Sequence, residues 1–174
     1  MGYINIIGEG IEYNGRVFAE LMLGSRGGGN NDFIPNFNQA LIASILTQPL
    51  GFPDYPTTGI SFILSAVRDY FSTVEAPKVK IFATVGKPLD YHGIDCFFYH
   101  RGMIATVDLT IKNGKNRPKA DLILTDQIAS GSEEGIYYFA EQVADLLVSE
   151  SRRQLPIETS LFINRKYPIG YYVN

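Results

Sequence analysis

The chain lacks tryptophan, has a single cysteine and carries few charges for its length. Of its 174 residues, 19% are Asp, Glu, Lys or Arg, and the formal net charge is -3. A single thiol, Cys96, excludes an internal disulfide. The negative balance excludes a whole-protein basic field of the kind that attracts nucleic acid, although it leaves room for a local basic patch.

Long hydrophobic runs are also missing. No apolar stretch reaches the roughly 20 residues that a membrane helix needs. The N-terminus, MGYINIIGEGIEYNG, has no basic segment followed by a long apolar run. We therefore expect no membrane partner and a cytoplasmic protein. What the chain does contain is 45% hydrophobic residues, enough to bury the core of one domain over residues 1–174.

The N-terminal part is predicted to be an appendage, residues 1–32, to a core over residues 57–164. Asn14 and Gly15 both tolerate the positive φ of a tight turn, so their pairing predicts a β-hairpin over Gly10–Leu23. The glycine-rich segment Gly24–Asp32 predicts a flexible loop. A hairpin that cannot bury itself exposes a strand edge, which is a surface for pairing with a second copy.

The remaining pattern predicts an α+β (mixed α/β) fold, with a central sheet that contains a three-strand meander and is flanked by helices. Apolar residues at helical spacing predict three helices, over Asn36–Gln48, Thr57–Phe71 and Ser132–Leu155. Alternating or continuous apolar runs predict five strands, over Val79–Val85, Gly93–His100, Met103–Ile111, Ala120–Asp126 and Thr159–Asn164.

The stretch from Gly93 to Thr110 holds two aspartates on either side of an Arg101-Gly102 pair. If that pair is a two-residue hairpin loop, the numbers of facing residues sum to 203, and Asp95 faces Asp108. Facing residues have Cβ atoms about 4.5–5.5 Å apart. In this register Ile94, Cys96 and Val107 point to the core, and the two aspartates point to the other face.

Two facing carboxylates repel each other, and three arrangements relieve the repulsion. In the first, the two carboxylates share a proton. In the second, a lysine or arginine lies nearby. In the third, a divalent cation that prefers oxygen ligands, such as Mg²⁺, lies between them. The alternative is that both aspartates lie on a solvated face of the sheet and need no relief. A three-residue loop would shift the register by one and set Asp95 opposite Val107.

A strand with an early Asp, a tight turn and a strand with a second acid resemble the hairpin of the PD-(D/E)XK nuclease superfamily. The resemblance covers about residues 57–164. It implies that Asp95 and Asp108 are metal ligands and catalytic residues, that Mg²⁺ is the cofactor, and that the reaction is hydrolysis of a phosphodiester in nucleic acid such as DNA. The family's lysine falls at Thr110 here, so Lys112, one pleat further along the same face, is the third catalytic candidate, with Lys80 as an alternative.

Two functions remain open from the sequence. The first is a Mg²⁺-dependent nuclease-like hydrolase, active or diverged, and the second is a non-enzymatic assembly protein that oligomerises through its N-terminal hairpin. The basic segment from Lys112 to Lys119 is either a phosphate-contacting patch or a solvated turn. His92 and His100 bracket the second strand of the meander and are expected at the surface or in turns.

Overall fold

A computed structural model of the chain describes residues 14–24, 32–47, 59–111, 119–149 and 154–166. Its helices are α1 (Gly15–Leu23), α2 (Phe37–Leu46), α3 (Gly59–Arg68), α4 (Asp126–Ala129), α5 (Glu133–Val148) and α6 (Ile157–Lys166). Its strands are β1 (Lys80–Ala83), β2 (Cys96–His100), β3 (Met103–Thr110) and β4 (Leu122–Thr125). Short 3₁₀ turns lie at Ala76–Lys78 and Asp90–His92.

The four strands form one mixed sheet in the order β1-β2-β3-β4. The first three strands are an antiparallel meander, and β4 runs parallel to β3. The predicted α+β fold with a meander and flanking helices is therefore confirmed. Among the described residues, no helix is long and apolar enough to cross a membrane.

Helices cover both faces of the sheet, so there are two hydrophobic clusters. The first cluster joins residues of α1, α3 and α5 to one face, which includes Cys96, Phe98 and Val107. The second cluster joins residues of α2 and α6 to the other face, which includes Phe82, Phe97 and Tyr99. The expectation that only one face is a core is therefore wrong. All five residues of β2 are buried, as a strand covered on both faces requires.

Neighbouring residues on β1 and β2 fix the second cluster. Phe82 pairs with Phe97 across the antiparallel ladder. Their rings stack with centroids 4.9 Å apart and planes 17° from parallel. Aromatic pairs directly across a ladder stabilise a sheet beyond the area that they bury. Cys96, predicted to be buried, is fully buried on the opposite face, and burial raises the pKa of its thiol.

The predicted N-terminal hairpin is wrong over residues 14–23, which form α1, while residues 10–13 lie outside the described part. Asn14 does not turn a hairpin. Its Oδ1 accepts a hydrogen bond from the Val17 N–H at 3.1 Å, which caps a helix. Gly24, with φ of 81°, ends that helix, and its N–H donates to the Glu20 carbonyl oxygen at 2.8 Å. Most of the predicted loop Gly24–Asp32 also lies outside the described residues.

The predicted strand Thr159–Asn164 is wrong as well, because these residues lie within α6. Thr159 and Ile163, four residues apart, are the buried positions of this helix. Four-residue spacing is the period of a helix and not of a strand. The N–H of Ser160 donates to the Pro156 carbonyl oxygen at 3.1 Å, which gives the first turn its helical geometry.

Candidate carboxylate site at the end of the sheet

The Arg101-Gly102 loop has the predicted length and sets the predicted register. His100 pairs with Met103, and the pairing continues without a shift to Cys96 and Val107. Arg101 and Gly102 have φ values of 48° and 89°. Two successive positive φ angles are the mark of a type I′ turn, whose twist matches that of the strands. The predicted register, in which the numbers of two facing residues sum to 203, is therefore confirmed for the pairs of Cys96 to His100.

The backbone leaves this register at Asp95, directly before β2. The Asp95 N–H donates to the Val107 carbonyl oxygen at 2.9 Å, so Asp95 lies level with Val107, and the predicted direct pairing of Asp95 with Asp108 across the ladder is wrong. In a continued ladder Leu109 would face Ile94. Instead, the Leu109 N–H donates to Asp95 Oδ2 at 2.7 Å. The carboxylate thus takes the place that the backbone of β2 would occupy. Ile94 packs in the second cluster, and the prediction that it shares a face with Cys96 is wrong.

The side chains of Asp95 and Asp108 meet at this end of the sheet and share a hydrogen bond. A hydrogen bond between two carboxyls needs a proton on one of them. Burial raises the pKa of Asp95 to about 7; the Leu109 N–H opposes this effect, and the charges of Asp90 and Asp108 add to it. Asp108 is only 4% exposed, which rules out a solvated face for this aspartate.

Asp90 is a third member of the site, which sequence reasoning missed. Its Oδ2 accepts a hydrogen bond from the Gly86 N–H at 2.8 Å, and it forms a further hydrogen bond with Asp95. Burial raises the pKa of Asp90, the Gly86 N–H lowers it, and the charge of Asp108 raises it. Gly86 has a φ of 71°, so it turns the chain after β1 and returns Asp90 towards the sheet. A Gly-Lys-Pro turn signal between two predicted strands was the available clue.

Residues 87–89, which lead to Asp90, are buried and anchored to α2. Lys87 is 4% exposed, and its Nζ donates to the Thr47 carbonyl oxygen at 3.3 Å. The Leu89 N–H donates to the Ser44 hydroxyl at 3.1 Å. These bonds to one helix fix the loop, so the position of Asp90 does not depend on solvent-exposed contacts.

The lysine candidates stand apart from this arrangement. Lys112 lies outside the described residues. Thr110, at the position of the family's lysine, is buried and pairs with Thr125 on β4. Lys80 lies beside Tyr99, with its Nζ 5.9 Å from the ring centroid. It is three residues along β1 from Ala83, which pairs with Cys96, and three residues of strand span about 10 Å. Lys80 is therefore a poor partner for Asp95.

Among the described residues, no group of three or more His, Cys, Asp or Glu side chains is arranged to hold a metal ion. Mg²⁺ does not require such a group. It keeps several waters and binds proteins through one or two carboxylates, with substrate phosphate completing the shell. Two carboxyls in contact, one of them with a pKa near 7, fit a hard cation because the cation would replace the shared proton. Asp95 and Asp108 are the residues that would hold it.

A second charged cluster lies at the other end of the hairpin, around Glu75. Lys78 Nζ and one Arg101 amine contact Glu75 Oε1 at 2.7 and 2.6 Å, and His100 Nε2 lies 3.0 Å from Oε2. The hydrogen bond from Lys78 is the main cause that lowers the pKa of Glu75 to about 2, and the bond to His100 contributes. His100 is buried against Phe71, so the expectation of a surface histidine is wrong for it. The cluster ties the turn to the segment after α3.

Comparison of the chain with family models, with curated proteins and with solved structures finds no match. The residues of the site are therefore what indicates a function.

Proposed function

We propose that the chain is a nuclease-like hydrolase that acts on nucleic-acid phosphodiesters, with Mg²⁺ held by Asp95 and Asp108. The observation that carries the proposal is the contact between these two carboxyls, of which Asp108 is buried and Asp95 half-buried. Like charges that meet away from water are costly unless a proton or a cation lies between them. Burial and the neighbouring carboxylates raise the pKa of Asp95 to about 7, so a cation can replace its proton near neutral pH.

The chain's own residues give the site its order. The Leu109 N–H holds Asp95 Oδ2, and the Gly86 N–H holds Asp90 Oδ2. Both contacts come from backbone, so neither carboxylate is free to swing towards solvent. The charge of Asp90 raises the pKa of Asp95 and so favours its protonated form. When bound, Mg²⁺ polarises a phosphoryl oxygen and makes a water molecule more acidic.

The assembly alternative has lost one of the features that favoured it, the N-terminal hairpin with a free edge, because residues 14–23 form α1, packed in the first cluster through Phe18 and Met22. The negative net charge and the threonine at the position of the family's lysine still favour it. The proximity of Asp95 and Asp108, by contrast, supports an enzyme. We therefore retain the hydrolase as the proposed function.

Melting curves of wild type and Asp108→Asn, with EDTA and with Mg²⁺, test the proposal. At a hundredfold excess over its dissociation constant, a ligand that binds only the folded state adds about 2.7 kcal/mol. For a chain of this length that corresponds to a rise in Tm of roughly 5 to 10 °C. In Asp108→Asn we expect the opposite pair of signs, a higher Tm in EDTA, because the repulsion is removed, and no response to Mg²⁺.

Asp145→Asn is the matched control, since Asp145 is exposed on α5. This variant should keep the wild-type response to Mg²⁺ and so report any general effect of the salt. Hydrolysis of a labelled oligonucleotide should require Mg²⁺ in wild type and be lost in Asp108→Asn. The proposal fails if wild type shows neither a Mg²⁺ shift nor Mg²⁺-dependent hydrolysis.

A further inference from the structure

Two large aromatic rings are exposed next to the carboxylate site. The side chain of Phe33 is 58% exposed and that of Tyr91 is 52% exposed. Their rings meet edge to face, with centroids 5.9 Å apart and planes at 73°. Apolar ring surface left in water forgoes the free energy gained by burial. Two of them together form a surface suited to an apolar, planar ligand.

The Phe33 ring is held in place by His92. The ring of His92 stacks on Phe33, with centroids 6.0 Å apart and planes 26° from parallel. His92 Nε2–H donates to the Ile34 carbonyl oxygen at 2.8 Å, and because a carbonyl only accepts, Nε2 carries the proton. Phe37 meets the other side of His92 edge on, at 5.9 Å. A surface that is already ordered loses little conformational entropy when it binds.

The 3₁₀ turn Asp90–His92 connects this surface to the carboxylates. With three residues per turn, successive side chains point about 120° apart. Asp90 points inward, to Gly86 and Asp95, while Tyr91 points outward. Their Cα atoms are neighbours in the chain, about 3.8 Å apart. The exposed Tyr91 ring and the inward-pointing Asp90 carboxylate are therefore carried by adjacent residues of one turn.

A cation borders the same loop. A Cβ placed on Gly93 would lie 3.4 Å from Lys119 Cδ, so the stem of Lys119 packs on the turn between Tyr91 and Asp95. Lys119 is exposed. Residues 90–95 thus carry Tyr91 and Asp95, while Phe33 contacts this segment through Tyr91 and Lys119 through Gly93. The rings match a base, the lysine matches a phosphate, and the carboxyls match the cation that accompanies a phosphate.

We propose that Phe33 and Tyr91 are a stacking platform for an unpaired base, and that the substrate is single-stranded nucleic acid whose phosphate lies between Lys119 and the carboxylate site. The proposal rests on the proposed function for its phosphate. Bases in a duplex already cover one another's faces, whereas unpaired bases stack on protein aromatics with about 1–3 kcal/mol per base. Stacking of this kind tolerates any base, so we expect little sequence preference.

Fluorescence anisotropy of a labelled oligothymidylate tests the platform. We would measure binding with Ca²⁺ as the oxygen-liganded cation, and check on a gel that the oligonucleotide stays intact. We expect Tyr91→Ala and Phe33→Ala each to weaken binding by about 5- to 100-fold. Tyr91→Phe keeps the ring and should bind like wild type. An abasic oligomer and a duplex of the same length should bind wild type more weakly than the oligothymidylate.

Tyr138→Ala is the matched control. Tyr138 is 64% exposed and lies on α5, which packs against the opposite face of the sheet. It should leave binding unchanged. The platform proposal is overturned if Tyr91→Ala and Phe33→Ala bind like wild type, if the abasic oligomer binds as well as the oligothymidylate, or if wild type binds neither. A wild type that keeps its Mg²⁺ shift and Mg²⁺-dependent hydrolysis while these variants bind normally would leave the proposed function intact.

Discussion

At the scale of single residues, the site is defined by how one carboxyl group, that of Asp95, is used. It closes the hydrogen-bond ladder through Leu109 and also meets Asp108 and Asp90. The first role requires only an acceptor oxygen, which an amide supplies as well as a carboxylate does. The second role depends on charge. The two roles can therefore be separated by an Asp-to-Asn substitution.

We predict that Asp95→Asn stabilises the metal-free protein at pH 8 and removes one component of its pH dependence. The folded pKa of Asp95 is about 7, against an ordinary value of 3.8. Between these values the folded state holds a proton that the unfolded state releases. Stability therefore falls as pH rises from about 4 to 7 and is level above 7. Each unit of pKa difference corresponds to about 1.4 kcal/mol, so the whole effect is at most about 4 kcal/mol.

Urea unfolding at pH 5 and pH 8, with EDTA, measures this effect as the difference between wild type and variant. The comparison is necessary because burial lowers the pKa of His100, and this change acts in the opposite direction. The unfolded state binds the His100 proton more readily, so that group lowers stability as pH falls below about 6.5. Equal stability differences at both pH values would contradict the assignment for Asp95.

At the scale of elements, hydrogen bonds between Thr106 on β3 and Asp121, the residue directly before β4, attach β4 to β3. The Thr106 N–H and hydroxyl donate to Asp121 Oδ2 at 2.9 and 2.7 Å, and the Asp121 N–H donates to the Thr106 hydroxyl at 2.9 Å. Thr106 is fully buried. Three bonds from two side chains therefore fix where the parallel strand begins.

We predict that Thr106→Val lowers the free energy of unfolding by about 1–3 kcal/mol, because the Asp121 N–H loses its bond to the Thr106 hydroxyl and Asp121 Oδ2 loses one of its two donors from Thr106. Valine keeps the β-branched shape, so packing changes little. Thr73→Val, at an exposed turn, is the control and should stay within about 0.5 kcal/mol of wild type. Chemical denaturation measures both. A loss in Thr106→Val no larger than in the control would show that the bridge contributes nothing.

The elements also show which parts of the fold the sequence could predict. The register of the hairpin follows from a two-residue loop and strand alternation, and both hold from Cys96 to His100. The departure at Asp95 could not be read from the pattern, because a carboxylate replaces backbone there. The prediction of a hairpin at Asn14 was wrong because Asn-Gly suits both a hairpin turn and the start of a helix. The four-residue spacing of Phe18 and Met22 is the feature that favours the helix. Lys112 lies outside the described residues, so its role stays a prediction.

At the scale of the whole molecule, β2 belongs to both hydrophobic clusters. Phe97 points into the second cluster and Phe98 into the first, and neither is exposed. A strand shared in this way couples the helices on one face of the sheet to those on the other. The two clusters should therefore form and unfold together.

We predict that Phe97→Ala and Phe98→Ala each lower the free energy of unfolding by about 3–5 kcal/mol. Each variant should still unfold in one transition, seen alike by circular dichroism and by tyrosine fluorescence. The pair is a matched comparison, since the same side chain is removed from adjacent positions. Two separate transitions, or probes that disagree in one variant only, would mean that the clusters are independent units.

The two-residue turn at Arg101 and Gly102 also bears on how the chain reaches this structure. The turn lies between Asp95 and Asp108, so closing one hairpin is enough to bring the two carboxyls together. Hairpins close in about 1–10 μs, well before contacts between distant segments are made. The two carboxylates therefore approach and repel each other early in folding, before the helices that bury them have packed on the sheet. Mildly acidic conditions or a divalent cation should speed the first step of folding, and not only stabilise its product.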